Sequence, residues 1–249
     1  MTQEKLLEIA MKQSAIDLNC DAKDFCRNEN RIVFSKKHPK ARKYLALPFY
    51  CNLVSYGSNI VASVSPETEA VVRAYLGKVP IEHCFETPNL YVLNEGLEKL
   101  GLRVCWMAEY FLPDLSQLHA ITCAYEMRLL GPADFAELYQ PEWCNALCEQ
   151  RKQLDMLAVG AYDGEKLVGL AGCSADCEEM WQIGVDVCPE YRRQGIASAL
   201  TAQLTMEILQ REKVPFYCTA WANLRSVRNA LRCGFRPVWV ELTAKKKNL

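Results

Sequence analysis

At 249 residues and 28.3 kDa the chain has room for one large or two ordinary domains, and folding would bury about three quarters of the surface of an unfolded chain this size. With 50% hydrophobic and 24% charged residues and no low-complexity tract, its composition is that of an ordinary globular protein and excludes a disordered one. Lys and Arg (29) balance Asp and Glu (30) to a formal net charge of −1, which speaks against nucleic acid or an anionic membrane as a partner.

The longest apolar stretch, 44–54, is interrupted by Pro48 and Asn52 and is far too short to span a bilayer. The first fourteen residues carry Glu4, Lys5, Glu8 and Lys12 among their leucines, so the basic-then-apolar layout of an export signal is not expected. There are 13 cysteines, an odd number with no Cys-x-x-Cys pair. Cys144/Cys148 and Cys173/Cys177 have no nearby histidine to complete a zinc set, so no metal site is expected. Many free thiols fit a reducing compartment, and a cytoplasmic location is the expectation. Lys245-Lys246-Lys247 reads as a solvated tail.

In chain order, the spacing predicts a helix over 3–19, then strands over 31–34, 50–55 and 60–64, the last ended by Pro66. A helix over 69–76 follows, then one over 94–100 stopped by Gly101, and a strand over 103–111. Residues 113–124 read as a linker between an amino-terminal α/β domain (1–112) and a second domain (125–249). The second begins with a strand over 125–130. Helices are expected from Gly131-Pro132-Ala133-Asp134 to Leu138 and over 142–154. Strands over 157–162 and 167–173 flank Asp163-Gly164, a strong hairpin signal. A strand over 180–187 is followed by Pro189. Ile196, Leu200, Leu204 and Ile208 then recur at helical spacing over 195–211. A strand over 214–220, a helix over 224–233 stopped by Gly234, and a strand over 235–242 complete the pattern.

One internal similarity stands out. Ile60-Val61-Ala62-Ser63-Val64-Ser65-Pro66-Glu67 lies on Ile183-Gly184-Val185-Asp186-Val187-Cys188-Pro189-Glu190, both reading strand, proline, glutamate, helix. Leu97 to Leu102 likewise resembles Ala230 to Phe235, each a helix end with a glycine stop. The two matches differ in offset, so duplication with an insertion or chance both account for them.

The stretch from Val187 through Pro189 and Arg192-Arg193-Gln194-Gly195-Ile196-Ala197 reads as a strand, a short turn and the opening of a long helix. Gly195 and Ala197 keep bulk away from a helix start whose free N–H groups and positive dipole end favour an anion such as pyrophosphate. Arg192 and Arg193 either add charge to that cradle or are solvated surface arginines.

Arg192-x-x-Gly195-x-Ala197 after a strand, with Asn223-x-x-Ser226 and Gly234-Phe235 one strand later, resembles the GNAT superfamily of N-acetyltransferases over about residues 125–245. The resemblance implies an α/β (α+β) fold with a mixed, mainly antiparallel central sheet flanked by helices and splayed between its fourth and fifth strands. A second, smaller, degenerate GNAT-like α/β domain would precede it. In the gap it implies acetyl-CoA: pyrophosphate on Arg192, Arg193, Gln194, Gly195, Ile196 and Ala197, and pantetheine along the strand backbone at Val185 and Val187. Asn223 and Ser226 fall where relatives contact the donor, although Asn223 is also a good helix N-cap.

The implied chemistry is direct attack by a primary amine of a small-molecule acceptor on the thioester. It needs a base or water path, donors for an oxyanion, and an acid for the thiolate. Backbone N–H groups near Val185 are candidates for the oxyanion. The family's usual tyrosine position holds Ala230, which leaves Tyr217 as a candidate acid or a plain core residue. Glu178, Glu179 and Asp186 are candidate bases, Glu179 foremost. Cys173, Cys177 and Cys218 lack a histidine partner in this half for a nucleophilic role. In the amino-terminal half, Glu67 and Glu69 stand where a pyrophosphate would be repelled, so that half is expected to wall a substrate cleft. A non-catalytic acyl-CoA-binding module and a purely structural protein stay open beside the transferase. Acceptor identity, acyl length and oligomeric state, a homodimer included, are not set by the sequence.

Overall fold

The computed structural model describes residues 1–247. Each of its two units is assembled from two chain segments: Met1–Ile9 with Phe111–Pro237, and Ala10–Tyr110 with the chain from Val238 onward. This differs from the linear division at 112 and 125, because the last strand, β10 (Phe235–Lys246), leaves the first unit after three residues and continues in the second.

The first unit holds β5 (Glu126–Leu130), β6 (Asp155–Asp163), β7 (Lys166–Ser174), β8 (Met180–Val187) and β9 (Val214–Thr219), in the order β9-β8-β7-β6-β5. β5 through β8 pair antiparallel, while β8 and β9 run parallel. The hairpin between β6 and β7 turns where the Asp163-Gly164 signal places it. Helix α4 (Ile196–Gln210) buries Ile196, Leu200, Leu204 and Ile208 against one sheet face, meeting Val159, Ala161, Ala171, Trp181 and Ile183. The opposite face is covered by Phe135, Trp143, Ala146 and Leu147 over Ala158 and Leu170. With both faces covered, β6 and β7 are nearly continuous apolar runs. Helix α5 (Leu224–Arg232) follows β9.

The two helices expected within 131–154 are instead three short 3-10 segments, Pro132–Asp134, Pro141–Trp143 and Glu149–Leu154. Buried or half-buried carboxylates take the amides a helix would use: Asn145 and Ala146 donate to Asp186, and Cys148 donates to Asp155. Asp114, expected in a linker, donates its N–H to Gly234 O at 2.7 Å and so belongs to the first unit.

In the second unit, β1 (Arg31–Phe34), β2 (Cys51–Ser55), β3 (Val61–Val64) and β4 (Leu102–Pro113) join β10 in the order β1-β3-β2-β10-β4. Helices α2 (Glu69–Leu76) and α3 (Thr87–Glu98) cover the core of Leu53, Ala62, Val72, Leu93 and Leu242. Helix α1 (Gln3–Leu18) begins in the first unit and ends in the second. Ala244 registers with Cys51 of β2, so the strand carries on through Lys245 and Lys246, both exposed, where a tail was expected.

The internal similarity has a structural counterpart. β3 and β8 each have an antiparallel partner on one side (β2, β7) and a parallel one on the other (β1, β9). The order differs, since β1 precedes β3 whereas β9 follows α4. The turn after β3 is also closed: Thr68 is fully buried at the start of α2 and donates its hydroxyl to Tyr50 O at 2.5 Å.

The buried ionic group of this unit is Arg42. Its Nε meets Asp17 Oδ2 at 2.5 Å and its Nη2 meets Glu241 Oε1 at 2.6 Å, while Tyr44 OH accepts from Nη1 at 2.7 Å. Trp239 Nε1 donates to the same Glu241 oxygen, and its indole stacks on Tyr56 and Tyr110. Replacing Arg42 leaves two buried carboxylates uncompensated, so Arg42→Ala is expected to cost about 3–5 kcal/mol in urea unfolding.

Candidate functional site

The cleft opens where β8 and β9 part. Met180, Trp181 and Gln182 register with Val214, Pro215 and Phe216, and beyond Gln182 no residue of β8 pairs with β9. On its other side β8 stays paired with β7 through Val187. Cys188 N–H donates to Val168 O on β7, whereas Val187 O is reached by Arg192 Nε at 3.0 Å. Strand alternation therefore turns the backbone groups of Val185 and Val187 towards the gap.

Gly172 and Gly184, on the far face of the same strands, are set by close approach. A Cβ at Gly184 would lie 1.8 Å from Asn145 O, and one at Gly172 would lie 2.1 Å from Ala146 O. The crossing segment is held by Asp186, which accepts from Asn145 N (2.9 Å), Asn145 Nδ2 (2.6 Å) and Ala146 N (3.0 Å). Asp186 is thereby an anchor for this segment.

After β8, a short turn at Pro189–Tyr191 leads to Gly195, the residue before α4, with φ +83°. That left-handed conformation suits glycine, and nothing lies within 4 Å of where a Cβ would stand. Arg193 is also left-handed, with φ +66°. No side chain caps the start of α4, so the amides of Ile196, Ala197 and Ser198, all lining the cleft, are open to an external acceptor. The turn is braced by Tyr191 OH on Asp163 Oδ2 (2.9 Å), Lys166 Nζ on Glu190 Oε1 (3.0 Å) and Tyr125 OH on Gln194 Oε1 (2.8 Å).

The cleft has a volume of about 940 Å³. Val185, Val187, Arg192, Arg193, Gly195, Ile196, Ala197, Tyr217, Asn223 and Ser226 line it together. Gln194 is not in the lining; its side chain faces Tyr125 instead. Glu179, expected as the base, is not brought to the cleft. It is exposed at the paired end of β8, where its carbonyl accepts from Val214 N, and it does not line the cleft.

Asn223 caps α5 by accepting from Ser226 N at 3.3 Å, and it faces the cleft as well. Tyr217 is 4% exposed. Burial pushes its hydroxyl above the usual tyrosine range, partly offset by hydrogen bonds to Ser226 and Asn229, so it stays protonated at neutral pH. Burial also pushes the Cys173 thiol up to about 12, and Cys218 Sγ accepts from Gln182 Nε2. No cluster of three metal-ligating side chains occurs among the described residues.

The sequence reading missed Arg225, Arg228 and Arg232 of α5, which line the cleft with Arg192 and Arg193. Against these five arginines the lining has one carboxylate, that of Asp186. The missed signal was three arginines at i, i+3 and i+7 in a helix without an acidic residue.

Residues 118–235 match the model of the acetyltransferase (GNAT) family. The chain carries a GNAT acetyltransferase domain. As such it is an acyltransferase, and the opened β8/β9 edge and the bare start of α4 are the parts of the domain that face its cleft.

Among solved structures, a GNAT-family acetyltransferase from Colwellia psychrerythraea is 18% identical, covering 58% of this chain and 57% of its own, with a TM-score of 0.45. A GCN5-related N-acetyltransferase-like protein from Streptococcus suis is 18% identical, covering 67% and 74%, with a TM-score of 0.48. A Drosophila protein is 13% identical and covers 99% of this chain and 90% of its own, with a TM-score of 0.49. No curated protein matches the chain. No helix among the described residues is long and apolar enough to cross a membrane.

The segment crossing Gly184 is expected to be a strict packing constraint. Gly184→Ala should cost about 1–3 kcal/mol in urea unfolding, the range for overpacking against atoms that cannot move aside.

Proposed function

We propose that this acyltransferase moves an acetyl group from acetyl-CoA to the primary amine of a small-molecule acceptor by direct attack, in the cytoplasm. The observation that carries the reading is the uncapped start of α4 after left-handed Gly195, open to a cleft lined by arginines beside a free strand edge. The chemistry of this donor set suits a pyrophosphate: amides of Ile196, Ala197 and Ser198, the positive end of α4, and Arg193. The backbone of Val185 suits an extended amide-bearing arm that adds to the strand edge, while Val187 O is already engaged by Arg192. When bound, acetyl-CoA supplies a thioester carbonyl open to an amine.

Val185 N–H faces the gap and is the oxyanion donor in this reading. Tyr217, buried and protonated at the cleft wall, is the proton donor for the departing thiolate. The one lining carboxylate, Asp186, already accepts three hydrogen bonds from Asn145 and Ala146 and is assigned to anchoring. Deprotonation of the amine is accordingly assigned to water rather than to Glu179. The amino-terminal unit is read as a degenerate GNAT-like half, in which buried Thr68 and the acidic Glu67 and Glu69 leave no anion cradle.

Two outcomes are expected. In calorimetry, acetyl-CoA binds the wild type and fails to bind Gly195→Glu, which puts bulk and negative charge at the cradle; binding retained by the variant would move the donor elsewhere. With a turned-over amine, Tyr217→Phe lowers kcat about 10²- to 10⁴-fold with KM little changed, the range for loss of a general acid.

A further inference from the structure

The arginines elsewhere in this fold are mostly neutralised. Arg27, Arg42, Arg73, Arg128, Arg151, Arg211 and Arg236 each pair with a carboxylate. Among the described residues Arg225, Arg228 and Arg232 form no ion pair, although all three line one cleft. At 3.6 residues per turn they fall within about 60° of arc on α5, as a single stripe.

That stripe works against the free helix. Arg225 stands in the first turn, at the positive end of the dipole, and the spacings i+3 and i+4 set like charges side by side. Asn229 lies along the stripe's edge and fixes it in place: its Oδ1 accepts from Ser198 Oγ at 3.0 Å, and its Nδ2 donates to Thr201 Oγ1 at 3.1 Å. The three guanidinium groups are thus carried on a helix tied to the first turns of α4, next to the amides that suit a pyrophosphate.

We infer that Arg225, Arg228 and Arg232 form a separate phosphomonoester subsite, which binds the 3′-phosphate of the CoA donor. The inference rests on the donor reading above. The pyrophosphate is already matched by the α4 amides, the helix dipole and Arg193, and Arg192 is turned to Val187 O, which leaves the three arginines of α5. A phosphomonoester carries about two negative charges and three oxygens that accept from guanidinium forks. A single carboxylate on an acceptor would engage one arginine and leave two unneutralised.

The test is calorimetric titration of CoA and of dephospho-CoA into the wild type, the double variant Arg225→Gln/Arg228→Gln, the single variant Arg232→Gln, and Gly195→Glu. The wild type is expected to bind CoA about 10- to 100-fold more tightly than dephospho-CoA, the range for hydrogen bonds to a charged group. The double variant should lose that preference while keeping its affinity for dephospho-CoA, and Arg232→Gln should lose part of it. Gly195→Glu should bind neither. Circular dichroism should show both arginine variants folded, since each removes repulsion from an exposed helix face.

Equal wild-type affinity for the two ligands overturns the subsite and leaves the donor reading intact. So does an equal loss for both ligands in the double variant, which would make the stripe a general field or an acceptor site. Failure of the wild type to bind either ligand overturns the donor reading, and the subsite with it.

Discussion

The parting of β8 from β9 after Gln182 and Phe216 is the constraint on which the site depends. A parallel pair that stayed together would spend the backbone groups of Val185 and Val187 on β9 and leave no gap. Once the strands diverge, one strand edge is free, the turn at Pro189–Tyr191 brings the start of α4 to the same opening, and α5 closes the other side. Strand edge, helix start and arginine face are three consequences of one divergence. The closed end is kept narrow by three registered residue pairs and by the bond from Val214 N to Glu179 O.

Charge is distributed along the same logic. The protein as a whole is nearly neutral, with a formal net charge of −1, yet the cleft lining carries five arginines and one carboxylate. Elsewhere most arginines are paired with carboxylates, as at Arg42, where burial is tolerable because Asp17, Glu241 and Tyr44 surround the guanidinium. A closed ionic core in one unit contrasts with a stripe in the other that, among the described residues, forms no ion pair and that the proposed donor would neutralise.

Strand and helix positions were legible wherever the pattern was local. The hairpin at Asp163-Gly164, the strand 180–187 and the four-residue spacing of Ile196, Leu200, Leu204 and Ile208 all carry their own signals, and the structure follows them. The left-handed glycine before an uncapped helix start was legible for the same reason, since Gly195 and Ala197 lie within one turn. The segment 131–154 was not, because the amides of Asn145 and Ala146 are claimed by Asp186, some forty residues on, and that of Cys148 by Asp155 just past the segment's end. Glu179 illustrates the same limit: its neighbourhood in sequence is the strand of the site, but its place is the closed end. The α5 arginines were visible as residues, yet their meaning lies in the missing counter-charges, which only a folded chain reveals.

The course of β10 has a consequence for how the molecule comes into being. Residues Phe235–Pro237 end one unit, and the same strand then supplies the partner of β2 in the other, with Glu241 against Arg42. During synthesis on the ribosome, nearly the whole amino-terminal unit has emerged long before this strand. It must then wait, with the β2 edge unpaired and Arg42 lacking one of its two carboxylates. Neither unit can reach its final state until β10 has left the exit tunnel, so the amino-terminal unit stays exposed to proteases and chaperones while the intervening residues are being added.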